Sequence, residues 1–161
     1  LGGFGGAHCS IESRKKYGKE ILKILREYMQ YIDIAKASME DCCCLFGSGI
    51  NSPEQALKKL LNYGADIIII TLGEKGALIG TKDKIYKILP IKTNIVDCTG
   101  AGDVFTSGFL SEYLLSSDIK RAGIFAAATS SLLIEKTGGV SVARIPNRQD
   151  VLKRVKRYIE R

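Results

Sequence analysis

The apolar positions of this chain alternate between a helical and a strand period. Over residues 13–31, Ile21, Leu22, Ile24, Leu25, Tyr28 and Met29 recur at three- and four-residue spacing, which predicts an amphipathic helix with Ser10 or Ser13 as its cap. A short strand follows over 32–37, and Ser38-Met39-Glu40-Asp41 opens a second helix. Ser52 and Pro53 have the residue types of a helix cap and first position, Ala56, Leu57, Leu60 and Leu61 form the inner face, and Gly64 ends the helix. Asp66-Ile67-Ile68-Ile69-Ile70-Thr71 is a continuous β-branched run, the pattern of a parallel strand covered on both faces. Ile85-Tyr86-Lys87-Ile88 alternates like a strand with one wet face, and Pro90 closes it or marks an edge. Beyond 91–96 the helical period returns. It places Val104, Phe105, Phe109 and Tyr113 on one side, with Gly108 permitting close packing. Residues 119–135 form a helix rich in Ala126, Ala127, Ala128, Ser130 and Ser131, and a last helix over 148–161 carries the stripe Val151, Leu152, Val155, Tyr158 and Ile159. Helix, glycine, then buried strand is the rhythm of an α/β layer fold.

Composition narrows the class. A chain of 161 residues that is 45% hydrophobic can build one globular domain with a substantial core. We divide it into a glycine-rich start, 1–12, read as internal to a longer parent, and a body, 13–161. With no run of about 18 apolar residues, no membrane span is expected. Leu1-Gly2-Gly3-Phe4-Gly5-Gly6 lacks the basic and apolar regions of a secretory leader, so a cytoplasmic setting is expected. Cys42, Cys43 and Cys44 match neither a disulfide framework nor a zinc spacing, and are expected as small core fillers in a reducing compartment. The formal charge of +7 raises nucleic-acid binding. Yet Arg148, Lys153, Arg154, Lys156, Arg157 and Arg161 face only Asp150 and Glu160, so most of the excess is expected on the solvated side of the last helix. A modest attraction for anionic small molecules is what remains.

The stretch that carries chemistry is Asp97-Cys98-Thr99-Gly100-Ala101-Gly102-Asp103, running into Val104. A glycine-rich loop feeding a helix N-terminus presents unpaired N–H groups and the positive end of the helix dipole, an arrangement that attracts phosphate. Asp103 is unhelpful for holding an anion but well placed to take a proton from a hydroxyl attacking one. Capping or favouring the first helical turn is the other role open to it, and spacing alone does not choose. A second loop, Thr71-Leu72-Gly73-Glu74-Lys75-Gly76, follows the buried strand. Ligands gather outside the carboxyl ends of parallel strands, so this loop is expected to face the same crevice as Asp103, while also serving as a hairpin turn into Ala77-Leu78-Ile79-Gly80. The Walker spacing is absent.

The Asp97–Asp103 motif, with Phe105 and Gly108-Phe109 beyond it, resembles the C-terminal signature of the ribokinase-like (phosphofructokinase B) family of carbohydrate and nucleoside kinases. Cys98 stands where that family usually has Thr, Pro, Ser or Val. The resemblance implies a three-layer α/β fold, a Rossmann-like sheet flanked by helices. It makes Asp103 the general base and Gly100, Ala101 and Gly102 an anion hole for the transferring phosphoryl group. It further implies ATP contacts at Thr71, Gly73, Glu74 and Gly76, and adenine contacts at Ala127 and Gly138. Ser38 and Asp41 match an Asn-x-x-Glu element that orders water around Mg²⁺, although the same two residues also make a helix capping box. Asp97 and Thr99 match residues that frame a monovalent-cation site, such as one for K⁺, in some branches.

The resemblance covers roughly 33–160, the C-terminal half of such a kinase, without the N-terminal strands and the β-lid. The implied activity is ATP-dependent phosphoryl transfer to a hydroxyl of a sugar, cyclitol or nucleoside. The implied partners are ATP, a small hydroxyl-bearing substrate, the N-terminal half of the same protein and a second copy in a homodimer, with no nucleic acid and no membrane. The alternative is a half-domain that holds a nucleotide without catalysis. The acceptor is not legible, because the residues expected to choose it lie in the other half.

Overall fold

The computed structural model describes residues 11–138 and 141–160, with side chains from residue 18 onward. Cys9, Ser10, Gly139 and Arg161 lie outside the described residues. The chain forms two compact units. One comprises the residues up to Gly73 together with Ala77–Lys87, and the other comprises Glu74–Gly76 and the residues from Ile88.

In the first unit, α1 (Ile11–Tyr28) already contains Ser13 and runs into a 3-10 turn at Met29–Tyr31. There follow β1 (Ile34–Ser38), α2 (Met39–Phe46), α3 (Pro53–Leu61), β2 (Ile67–Thr71), β3 (Ala77–Gly80) and β4 (Ile85–Ile88), of which only Ile88 is counted with the second unit. The sheet order is β1-β2-β3-β4. β1 and β2 are parallel, with Ile34 opposite Ile67 and Ser38 opposite Thr71. β2 and β3 are antiparallel, with Thr71 opposite Ala77 and Ile68 opposite Gly80. The isoleucine run is therefore buried on both faces, as its composition predicts, but it is parallel on one side only. The connection to β3 is too short to be anything but a hairpin.

α3 packs on β2 and β3 through Ala56, Leu57, Leu60 and Leu61, which are all buried with Ile68, Ile70 and Leu78. Burying a leucine such as Leu57 contributes about 1.5–3 kcal/mol. Gly80 is the residue under it, and a Cβ there would come within 2.5 Å of Leu57 Cδ2. Ser52 accepts from Gln55 N at 3.2 Å and caps α3 as read. The cysteine run is a correction. Cys42 is buried, and burial first, then the neighbouring Asp41, pushes its thiol up to about 12. Cys43 is exposed and Cys44 half-buried, since consecutive helical residues point in different directions.

The second unit holds α4 (Ala101–Ser116), α5 (Ile119–Leu133) and α6 (Arg148–Ile159). α4 lies close on α5 because Gly108 has no side chain: a Cβ would meet Thr129 Oγ1 at 2.9 Å and Ala126 Cα at 3.2 Å. Val104, Phe105 and Phe109 are buried as expected, and Tyr113 stacks on Phe109 with ring centroids 5.6 Å apart. α5 ends at Leu133, and Asp118 and Asn147 cap α5 and α6.

The last helix departs from expectation. Leu152 and Ile159 are exposed, and the inner positions are Val151, Arg154, Val155 and Tyr158. Arginine belongs to that face because partly buried carboxylates receive it. Arg154 makes a bidentate pair with Glu135 at 3.0 Å through both nitrogens, and Thr93 also donates to Glu135. Arg148 lies over the Phe125 ring and reaches Glu112 at 2.5 Å, and Arg121 reaches the other Glu112 oxygen at 2.5 Å. Two of the charges expected on the solvated face therefore tie α6 to α4 and α5.

Glu112 is 1% exposed, while Arg121 and Arg148 are 59% and 40% exposed. Removing both arginines strands a buried carboxylate, so Arg121→Ala/Arg148→Ala should lose about 3–5 kcal/mol in urea unfolding at neutral pH, with each single change costing less. For Glu135 the double hydrogen bond from Arg154 outweighs burial, and Thr93 helps, so its carboxyl lies below the ordinary 4.5. A depressed carboxylate stabilises above the ordinary value and loses that contribution as pH falls through the folded one. Unfolding followed from pH 6 (about neutral) down through the carboxylate range should therefore show a steeper loss of stability in the native protein than in Glu135→Gln.

Candidate active site

Gly100 is the N-cap of α4 and sits in the left-handed region at φ 77°. No side chain caps this helix, so the turn depends on a residue that tolerates positive φ. Ala101 N–H donates to Cys98 O at 3.1 Å, and Val104 N–H makes the first helical bond, to Gly100 O at 3.0 Å. The N–H groups of Gly102 and Asp103 therefore lie in the first turn, where a helix offers its own amides no acceptor. Asp103 is exposed at the third helical position. It is not the cap, which removes one of its two bland roles. A favourable interaction with the helix dipole remains.

Three further contacts fix the loop. Val96 and Asp97 N–H both donate to Ile134 O, at 2.8 and 3.1 Å, anchoring it to the end of α5. Ser130 Oγ donates to Ala101 O at 3.0 Å. The carboxylate of Asp97 accepts Thr99 N–H at 2.9 Å through one oxygen and Gly138 N–H at 3.2 Å through the other. Asp97 thus joins the motif to the Gly138 turn, where φ is 109°. Ala127 is half-buried on α5 in the same unit.

Sequence reasoning missed Arg144. It is 2% exposed, and its guanidinium donates to Thr99 O at 3.2 Å and to Asp97 O, and lies 3.4 Å from Asp97 Oδ2. The available signal was a single arginine in an otherwise uncharged stretch between Gly138 and Pro146. Its partners lie more than forty positions away in sequence, beyond any local pattern.

In the first unit, Ser38 and Thr71 stand side by side at the carboxyl ends of two parallel strands. Asp41 is buried. Its Oδ2 accepts both the N–H and the hydroxyl of Ser38 at 2.8 Å, while Asp41 N–H returns to Ser38 Oγ at 3.0 Å. The capping box is therefore real. A single buried carboxylate is compatible with Mg²⁺ only as a partner to water and phosphate oxygens, and no cluster of three or more metal-ligating side chains occurs among the described residues. Gly73 and Glu74 are exposed in a 3-10 turn, Gly73–Lys75. Gly76 has φ 88°, and a Cβ there would overlap Ile88 O at 2.1 Å, so this glycine is required by its own backbone.

The pfkB family carbohydrate kinase model matches residues 13–146. The chain belongs to the pfkB family of carbohydrate kinases. Among its pfkB relatives, an ATP-dependent 6-phosphofructokinase of Thermoanaerobacterium thermosaccharolyticum is 33% identical over 133 residues, covering 83% of this chain and 40% of the relative. A nucleoside kinase of Methanocaldococcus jannaschii is 32% identical, covering 89% of this chain and 44% of the relative. The ribokinase of Arabidopsis thaliana, solved with ribose and ATP, superposes with a TM-score of 0.73 at 29% identity, over 81% of this chain and 43% of that one. The chain thus has the ribokinase-like α/β fold and spans half or less of the length of these relatives.

The left-handed cap gives a direct check. Gly100→Ala should destabilise by about 1–2 kcal/mol in a thermal melt. Gly76→Ala should cost more, because it adds a collision with Ile88 O to the strain.

Proposed function

We propose that this chain carries the ATP-binding and catalytic half of a phosphotransferase that acts on a hydroxyl of a sugar, cyclitol or nucleoside. The observation that carries the reading is Asp103: an exposed carboxylate in the first turn of a helix whose cap is a left-handed glycine, in a chain of a carbohydrate kinase family. Such a carboxylate adjoins amides suited to a phosphoryl group yet takes no part in capping.

In this mechanism Asp103 accepts the proton of the acceptor hydroxyl as its oxygen attacks the γ-phosphorus of ATP. The new O–P bond forms as the bond between the γ-phosphorus and the β,γ-bridging oxygen breaks, and ADP leaves with the electron pair. First-turn amides of the Gly100-Ala101-Gly102 segment stabilise charge developing on the equatorial oxygens. Ala101 N–H must give up its bond to Cys98 O to join them, whereas Gly102 N–H need not. Thr71, Gly73, Glu74 and Gly76 contact the nucleotide, and Ala127 with Gly138 borders the adenine. Asp41 is the residue that would hold Mg²⁺ through water, and the ion would supply neutralisation of phosphate charge.

ATP as donor is supported by the Arabidopsis ribokinase complex. The acceptor class is supported by relatives that include a phosphofructokinase and a nucleoside kinase. Since the chain spans 40–44% of those relatives, the isolated chain is expected to hold nucleotide without turning over an acceptor.

The test is Asp103→Asn in the full-length protein, assayed against a panel of sugars, cyclitols and nucleosides. Turnover should fall by about 10²–10⁴-fold, the span of general base catalysis, while ATP affinity by calorimetry changes little. Near-native turnover in this variant would refute the assignment.

A further inference from the structure

The oxygens that the sequence offers for a monovalent cation are those of Asp97 and Thr99. In the structure they converge on a side chain. Asp97 O and Thr99 O accept from the guanidinium of Arg144, and Asp97 Oδ2 lies 3.4 Å from it. A guanidinium carries the same unit charge as K⁺ or Na⁺, is protonated at every accessible pH, and has a planar fork of donors that meets carbonyl and carboxylate oxygens together. A mobile cation brought to these oxygens would be repelled by a fixed one already among them. Asp97 and Thr99 therefore do not fit a bound monovalent ion.

We propose that Arg144 is a built-in replacement for a monovalent cation beneath the anion-binding loop, and that this protein works without one. The inference rests on the kinase reading for its functional meaning and on geometry for its substance. Arg144 is a positioning residue. By fixing Asp97 O and Thr99 O it sets the path of the chain into Gly100, and through Asp97 Oδ2 it also holds the acceptor of Gly138 N–H.

The side chain is itself well placed to act as a rigid support. Its backbone N–H donates to Ser141 O at 3.0 Å, and that of Ile145 donates to the same oxygen at 3.1 Å, so it projects from a closed turn. Four residues on, Arg148 fastens the start of α6 to the buried Glu112. A spherical ion exchanges with solvent and leaves its oxygens at low salt. A covalently attached guanidinium does not, so the loop holds one conformation at any ion composition.

The experiment uses the full-length protein in chloride salts of K⁺, Na⁺ and tetramethylammonium at equal ionic strength. Native turnover and melting temperature should be the same in all three. Arg144→Ser should lose turnover by about 10²-fold, as misplacement of a catalytic frame does. It should also acquire a K⁺ dependence: K⁺ should raise both its melting temperature and its rate relative to tetramethylammonium, with guanidinium ion as an alternative rescuer. Arg144→Lys, which keeps the charge, should stay indifferent to K⁺. Native turnover or melting temperature that rises in K⁺ would overturn the proposal. So would an Arg144→Ser protein that folds and ignores K⁺. If Arg144→Ser does not fold, the native and Arg144→Lys proteins decide by the same comparison. The melting measurements need no turnover, so a protein that transfers no phosphate would defeat the kinase reading and leave this one still decided by its ion response.

Discussion

A guanidinium buried under the Asp97–Thr99 loop is the constraint on which the C-terminal unit turns. The loop has no regular secondary structure to satisfy its carbonyls, and those of Asp97 and Thr99 turn toward a buried side chain that must donate to them. Arg144 meets two of them and the Asp97 carboxylate at once, something no neutral side chain can do. The same solution recurs nearby, where Glu112 and Glu135 receive Arg121, Arg148 and Arg154. Each of these pairs joins two elements that otherwise meet through small residues or a thin apolar contact such as Phe125, Ala128 and Val151. Specific charge pairing thus fixes the mutual placement of α4, α5 and α6 more tightly than their apolar contact alone would.

What that placement achieves is a helix start left open. α4 begins on a left-handed glycine without a side-chain cap, which would be a defect in a helix whose only task was packing. Most helices close their first turn with Ser, Thr, Asp or Asn, and in this chain α2, α3, α5 and α6 all do so. α4 alone among these has no side chain accepting from its first-turn amides. The carboxylate of Asp103 is compatible with that end because it lies in the positive field of the dipole, even when no phosphate is there.

The elements of this fold, and the open helix start, were legible because they are written in local spacing. The inner faces of α3 and α4, the isoleucine strand, the cap at Ser52 and the glycine-aspartate motif each occupy fewer than about two dozen consecutive residues, the range over which period and turn chemistry speak, whereas Ile24 and Tyr28 of α1 and Leu152 and Ile159 of α6 lie exposed against the stripe. The arginines were not legible. Arg148 and Arg154 read as a solvated face because a sequence pattern counts a charge as outward unless its partner is known, and Glu112 and Glu135 are 36 and 19 positions away. Arg144 was hidden for the same reason. The strand run by itself shows burial on both faces but not the direction of its neighbours, and it was the hairpin reading of the turn before Ala77 that carried the antiparallel pairing of β3.

The glycines of the two loops show how structure sorts evidence that sequence gives with one weight. Gly76 would be a glycine whether or not a nucleotide bound, since a Cβ there would run into Ile88 O. It therefore adds little to an argument for ligand contact. Gly73 and Gly138 also have positive φ, but a Cβ at either would meet nothing within 4 Å. At φ 60° asparagine or aspartate is tolerable, so backbone strain alone does not restrict Gly73 to glycine. Positive φ already favours glycine at both positions, and the open space beside them leaves the backbone approachable. Gly73 thus leaves its side of the turn open to approach, while Gly76 is fixed by its own backbone and says nothing about a ligand, a distinction that the motif by itself conceals.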